Sequence, residues 1–148
     1  MLSITRCGSK DYEKLAEIWE RSVRATHSFL TEQSIREIRA ALIPDYFPNV
    51  ELWAAVSDGV AKGFIGLSED KIEMLFVDSD SLGKGIGTLL TEFAMRNGAV
   101  KVDVNEQNPS ALGFYISRGF SITSRDATDD AGRPYPILHL TAQSASTE

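Results

Sequence analysis

Residues 75–90 read Leu75-Phe76-Val77-Asp78-Ser79-Asp80-Ser81-Leu82-Gly83-Lys84-Gly85-Ile86-Gly87-Thr88-Leu89-Leu90. An apolar, β-prone run ends at Val77. A short polar loop follows, then glycines at alternate positions, then the apolar rhythm of a helix. Glycine has no Cβ, so backbone N–H groups can converge in such a loop. At a helix N-terminus those groups and the helix dipole attract an anion. A strand that runs straight into this loop points to a phosphate-bearing cofactor.

Three phosphate-binding patterns compete for these residues, beside a plain strand–helix connection with no ligand. The nucleotide-hydrolase loop places its lysine after the last glycine and before Ser or Thr. Here Lys84 sits between glycines. The dinucleotide fingerprint accepts Gly83 and Gly85, and Asp103 ends a plausible next strand, but Gly87 comes one residue early. That motif would also leave too little chain for a doubly wound sheet. The third pattern fits better: the segment resembles motif A of the GNAT superfamily of N-acetyltransferases, which use acetyl-coenzyme A. Its Gln/Arg-x-x-Gly-x-Gly/Ala pattern lands on Leu82-Gly83-Lys84-Gly85-Ile86-Gly87. Leu82 departs from the usual Gln or Arg, but family contacts in this loop are mostly main-chain amides.

Residues 105–120, Asn105-Glu106-Gln107-Asn108-Pro109-Ser110-Ala111-Leu112-Gly113-Phe114-Tyr115-Ile116-Ser117-Arg118-Gly119-Phe120, resemble motif B of the same superfamily. Asn, Ala, Phe-Tyr and Gly-Phe stand in the family's order. They follow motif A at the usual distance, after a helix and a strand. The opening Trp19 to Leu30 and the late Gly132-Arg133-Pro134-Tyr135-Pro136 resemble a subgroup of small bacterial GNAT proteins, the YjaB-like acetyltransferases.

The resemblance implies an α/β (α+β) GNAT fold: a mixed, mostly antiparallel sheet with helices on both faces. The strands ending at Val77 and Val104 would be parallel neighbours that splay, with acetyl-coenzyme A as cosubstrate in the gap. It implies pantetheine contacts with the main chain of Leu75, Phe76 and Val77, and an oxyanion donor near Val77. It makes Leu82, Gly83, Lys84, Gly85, Gly87 and Thr88 of the loop cofactor-binding residues, with further cofactor contacts from Asn108 and Tyr115. Tyr115 is the implied general acid, as a phenol with a reference pKa of ~10 stays protonated at neutral pH. A glutamate on the strand of motif A is the implied base. Glu73 is the first candidate, since alternation puts it on one side with Leu75 and Val77. His27 is the second, because imidazole titrates near neutrality. Trp19 and Tyr135 can shape the acceptor pocket, while His139 alternates within a closing strand. The implied activity is acetyl transfer to a primary amine of a small molecule or peptide. A non-catalytic acyl-coenzyme A binder is the alternative.

At 148 residues the chain reads as one domain, 1–148. Hydrophobic residues at 43% suffice for a packed core. No apolar run approaches the ~20 residues that span a bilayer, and no signal-peptide pattern opens the chain. One cysteine, Cys7, permits no internal disulfide and suits a reducing cytoplasm. With two histidines far apart, it makes no metal site. The net charge of −6 disfavours nucleic acid and mildly favours a cationic acceptor. The anionic cofactor then needs local cations, for which Lys84 and Arg118 are candidates. GNAT proteins are often dimers, so a homodimer is compatible with the resemblance.

Along the chain, Leu2 to Thr5 reads as a strand and Gly8-Ser9 as a break. Ser9 is a candidate cap for a helix over 10–26, with Leu15, Ile18, Trp19 and Val23 on one face. Thr31 is a candidate cap for a second helix ending at Pro44. Asp58-Gly59 joins strands 51–57 and 60–67 in a hairpin, and Ser68-Glu69-Asp70 turns into strand 71–77. A helix over 85–96 and a strand over 100–104 follow. Asn108 is a candidate cap of a helix with Pro109 first. Strands 120–125 and 135–141 flank the turn Asp129-Asp130-Ala131-Gly132. The small, polar tail after Ala142 is expected to fray.

Overall fold

A computed structural model describes residues 2–142. The tail after Ala142 lies outside the described residues. Among the described residues seven strands form one sheet: β1 (Leu2–Arg6), β2 (Glu51–Ser57), β3 (Val60–Ser68), β4 (Lys71–Val77), β5 (Lys101–Asn105), β6 (Phe120–Asp126) and β7 (Ile137–Ala142). Their spatial order is β1-β2-β3-β4-β5-β7-β6. Every neighbouring pair is antiparallel except β4 and β5. That pair is joined by the helix α3 (Ile86–Arg96), as a parallel crossover requires.

Two further helices, α1 (Tyr12–Thr26) and α2 (Glu32–Ala41), pack on one face of the sheet, and α4 (Pro109–Ser117) joins α3 on the other. The α1–α2 core holds Leu15, Ile18, Trp19 and Val23, the residues whose spacing predicts that face, against Ala54 and Phe64. The α3–α4 core holds Ile86, Leu90 and Tyr115 against Ile65, Val102 and Leu140. Both cores come from the same strands, because side chains alternate between faces.

Local chemistry sets the joints. Asp58 (φ 54°) and Gly59 (φ 77°) are both left-handed, as a two-residue hairpin turn demands. Thr31 Oγ1 accepts from Ser34 N at 3.0 Å and caps α2. Asn108 Oδ1 accepts from Ala111 N at 3.2 Å and caps α4, with Pro109 first in the helix.

Three expectations shift. Ser9 does not cap α1; a short 3₁₀ turn spans Ser9–Asp11, and the Asp11 carboxylate accepts from Gly8 N at 2.9 Å. The second helix stops at Ala41 rather than running to Pro44, and a wider π-type turn covers Leu42–Tyr46. Pro44 has no N–H to donate to Ala40 O and its ring crowds that carbonyl, so the α-helical ladder ends early and the chain continues in the wider turn. The last strand begins at Ile137, not Tyr135, since Pro134 and Pro136 have no N–H for a ladder.

Candidate active site

The parallel pairing of β4 and β5 covers only Lys71↔Lys101 and Ile72↔Val102. Beyond Ile72 the strands part. The next residue, Glu73, is a β-bulge: Met74 faces Gly66 and Ile72 faces Leu67 on β3, leaving Glu73 with no partner opposite. A bulge adds twist and bends its strand, and this one sits where contact with β5 ends. It also breaks the alternation that predicts Glu73 beside Leu75 and Val77. Ile72 packs with Leu75 and Val77 on the α3–α4 side, while Met74 and Phe76 pack on the α1–α2 side.

The gap between the strands is a cleft of about 130 Å³. Its walls bring together His27, Glu73, Leu75, Phe76, Asn108 and Tyr115. Asp78 N donates to Lys62 O on β3 at 2.9 Å. Successive N–H groups alternate in direction along a strand, so those of Val77 and Leu75 point to the opened side. The main chain expected to hold pantetheine thus offers donors to the gap.

Tyr115 is 6% exposed, its ring between those of Phe114 and Phe120 at 5.1 and 5.6 Å. Burial alone pushes its pKa upward, so the phenol keeps its proton. Thr26 Oγ1 donates to Ser22 O at 2.8 Å and stands 2.7 Å from His27 Nδ1. A hydroxyl has one proton, so Nδ1–H is the donor to Thr26 and Nε2 carries the lone pair. That lone pair faces Asn108 Nδ2 at 3.4 Å. Burial lowers the His27 pKa, consistent with a neutral ring. Asn108 therefore uses its oxygen to cap α4 and turns its nitrogen toward His27.

The glycine loop leaves the end of β4. Gly83 (φ 76°) and Gly85 (φ 80°) are left-handed, and a Cβ on either would meet nothing within 4 Å. Conformation, not crowding, requires glycine there. Among the described residues no side chain caps α3, whose N-cap is Gly85. Its first N–H groups are available to an anion. A Cβ built on Gly87 lies 3.9 Å from both Val77 Cγ2 and Phe114 Cζ, so the first turn of α3 rests against the end of β4 and against α4. Leu82 and Lys84 are exposed and Thr88 is half-buried. Arg118 lies over the Phe114 ring with Nη1 3.9 Å from Glu92. Backbone donors and a glycine cradle fit an acyl-coenzyme A.

On the other side of Phe76 and Glu73 lies a cavity of about 410 Å³. Trp19, Tyr46, Met74 and Phe76 wall it, and Asp45, Glu73 and Asp130 supply carboxylates. Tyr135 closes a smaller neighbouring hollow and holds Ser34 Oγ at 2.9 Å. Cys7 lines neither the cleft nor the cavity, and burial pushes its thiol up to about 11, an inert range. His139 is bound on both ring nitrogens, 2.7 Å from Asp103 and 2.6 Å from Asp126. Sequence reasoning missed Lys71, which pairs with Asp103 at 2.8 Å and stands 3.7 Å from Glu73. No motif marks a cross-strand ion pair.

Residues 14–135 match the profile of the acetyltransferase (GNAT) domain family. The chain belongs to that family. Its members use acetyl-coenzyme A, so the chain is an acetyl-coenzyme A-dependent acetyltransferase. It is 42% identical over 142 residues to the peptidyl-lysine N-acetyltransferase YjaB of Salmonella typhimurium, covering 95% of this chain and 97% of that protein. The solution structure of apo YjaB from Escherichia coli superposes with a TM-score of 0.88 at 39% identity, over 98% of this chain and 99% of that one. The protein yncA of Salmonella typhimurium, solved with acetyl-coenzyme A, shares the fold with a TM-score of 0.67 at 17% identity, over 97% and 94%. Among the described residues, no helix is long and apolar enough to cross a membrane.

Proposed function

We propose that this acetyltransferase modifies the ε-amino group of lysine in a peptide or protein. One observation carries the reading: Glu73 and Phe76 line both the cleft and the acidic-rimmed cavity. An alkyl ammonium needs an apolar channel for its stem and a carboxylate near its nitrogen. Trp19, Met74 and Phe76 give the first, and Glu73 gives the second at the boundary with the cleft. The naming of the YjaB proteins as peptidyl-lysine acetyltransferases supports this acceptor.

Acetyl-coenzyme A supplies the acetyl group as a thioester. The loop amides of Leu82, Gly83, Lys84, Gly85, Gly87 and Thr88 cradle the pyrophosphate. Main-chain groups of Leu75, Phe76 and Val77 align the pantetheine arm as an added strand. Glu73 takes the proton from the ammonium, directly or through water, and frees the nitrogen lone pair. The Val77 N–H donates to the carbonyl oxygen as negative charge develops there. The C–N bond forms, the C–S bond breaks, and Tyr115 donates its proton to the departing sulfur. The nitrogen sheds its second proton to solvent, and solvent restores Tyr115. His27 acts through Asn108: its lone pair orients the amide that caps α4, and α4 carries Tyr115.

The test is mass spectrometry of lysine peptides with blocked α-amines, incubated with acetyl-coenzyme A. Acetyl-lysine with matching thiol release is expected. Acetylation confined to α-amines or small polyamines would overturn the acceptor assignment.

A further inference from the structure

Asp78 is the first residue after β4 and opens the glycine loop. It is only 6% exposed. Its two carboxylate oxygens are held side-on by one guanidinium: Arg21 Nε donates to Oδ1 at 2.9 Å and Nη2 to Oδ2 at 2.7 Å. Arg21 lies on α1, fifty-seven positions away in sequence. The main chain of Asp78 is fixed as well. Its N–H donates to Lys62 O on β3, and its carbonyl accepts from Ser81 N at 2.8 Å. Arg21, and then the N–H groups of Ser79 and Asp80, hold the carboxyl below the usual range, so it is charged at neutral pH. A two-point charged fork fixes direction as well as distance.

Two parts of the site meet at this clamp. The helix α1 presents Trp19 to the acceptor cavity and ends at His27 beside the cleft. The segment from Asp78 leads within five residues to the left-handed Gly83. A short 3₁₀ turn, Ser79–Ser81, with Ser81 buried, carries the chain from Asp78 to the loop; beyond it the conformation depends on glycines, which favour no single geometry in isolation.

We propose that the Arg21–Asp78 ion pair is a positioning device for pyrophosphate recognition, holding the glycine loop in register with the acceptor-side helix. The inference rests on the loop being the pyrophosphate site. Arg21 touches neither substrate; it acts through Asp78. Loss of the clamp lets the loop amides sample other directions, which weakens the pyrophosphate contact and leaves the pantetheine contact intact.

The experiment is calorimetric titration with two probes, acetyl-coenzyme A and S-acetylpantetheine, which lacks the nucleotide and pyrophosphate. Arg21→Gln is expected to raise Kd for acetyl-coenzyme A about tenfold, within the range for coupling between contacting elements. Kd for S-acetylpantetheine should stay within about twofold. Arg21→Lys keeps the charge without the fork and should fall between. The Arg21 side chain is half exposed, so both variants are expected to fold, and circular dichroism checks this. Equal weakening of both probes means general structural damage and overturns the proposal. So does an unchanged preference for acetyl-coenzyme A in Arg21→Gln. If the wild-type protein binds the two probes equally, the pyrophosphate reading itself falls, a result distinct from either.

Discussion

Replacing Tyr115 by Phe removes one oxygen from a buried ring. The ring stays between Phe114 and Phe120, so its packing is kept. Burial holds the phenol protonated, and among the described residues no group hydrogen-bonds its oxygen. The substitution therefore orphans no buried protein group, and stability should change by no more than about 0.5 kcal/mol. Acetyl-coenzyme A affinity should also hold, since the proposed binding contacts are backbone groups of β4 and the glycine loop. The loss is confined to protonation of sulfur. A positioned general acid contributes about 10²–10⁴-fold. Solvent can enter an open cleft and deliver a proton in its place, so the lower end is expected, a fall in kcat of about 10²-fold. That is about 2.7 kcal/mol of barrier. Initial rates of thiol release with a lysine peptide give kcat, and calorimetry gives the cosubstrate Kd. A kcat within twofold of wild type would refute Tyr115 as proton donor. A parallel rise in Kd would show that the hydroxyl serves binding instead.

Three further perturbations test other parts of the reading. Glu73→Gln should depress kcat/KM most at low pH and approach wild type once the amine is itself deprotonated, above about pH 10.4 for a free lysine; a constant deficit across pH would mean positioning rather than proton transfer. His139 has a raised pKa, chiefly from Asp126 and then Asp103. Its contribution to stability is full below about pH 6.5 and is lost as pH rises through the folded-state pKa, so His139→Asn should flatten that part of a urea-denaturation profile. Gly63→Ala would place a Cβ 2.9 Å from Phe76 O and 3.0 Å from Ile86 Cγ2, between β4 and the start of α3. It should cost about 1–3 kcal/mol, read as a lower Tm, and a Tm unchanged within error would show that the junction yields freely.

The sequence carries the local features well because each has a local cause. Asp58-Gly59 needs left-handed backbone, Asn108-Pro109 needs a helix start, and Leu15, Ile18, Trp19 and Val23 need a common apolar face. The two family motifs carry the order of elements. Other features depend on partners that only folding brings near. Arg21 meets Asp78, His27 meets Asn108 and Lys71 meets Asp103, with no periodicity or spacing to announce them. The side of the strand on which Glu73 falls is the instructive case. Alternation is sound for a regular strand, but a bulge arises from the register against β3, and one unpaired residue reverses the assignment beyond it.

That same bulge ties the two halves of the proposed site together. Were β4 regular through Glu73, its ladder with β5 could continue past Ile72 and close the gap where pantetheine is proposed to lie. Glu73 would also share the face of Leu75 and point into the α3–α4 core, where a carboxylate without a partner is costly. The extra residue avoids both outcomes. It stands where the pairing of β4 with β5 ends, beyond which the N–H groups of Leu75 and Val77 are unclaimed by a neighbouring strand, and it sets Glu73 at the border of cleft and cavity. Lys71 then matters at the paired end. Its bond to Asp103 fastens β4 to β5 at the last point where the strands touch, so the opening starts at a fixed place. The proposed base and the proposed gap for pantetheine thus meet at one feature, the shifted register of β3 and β4.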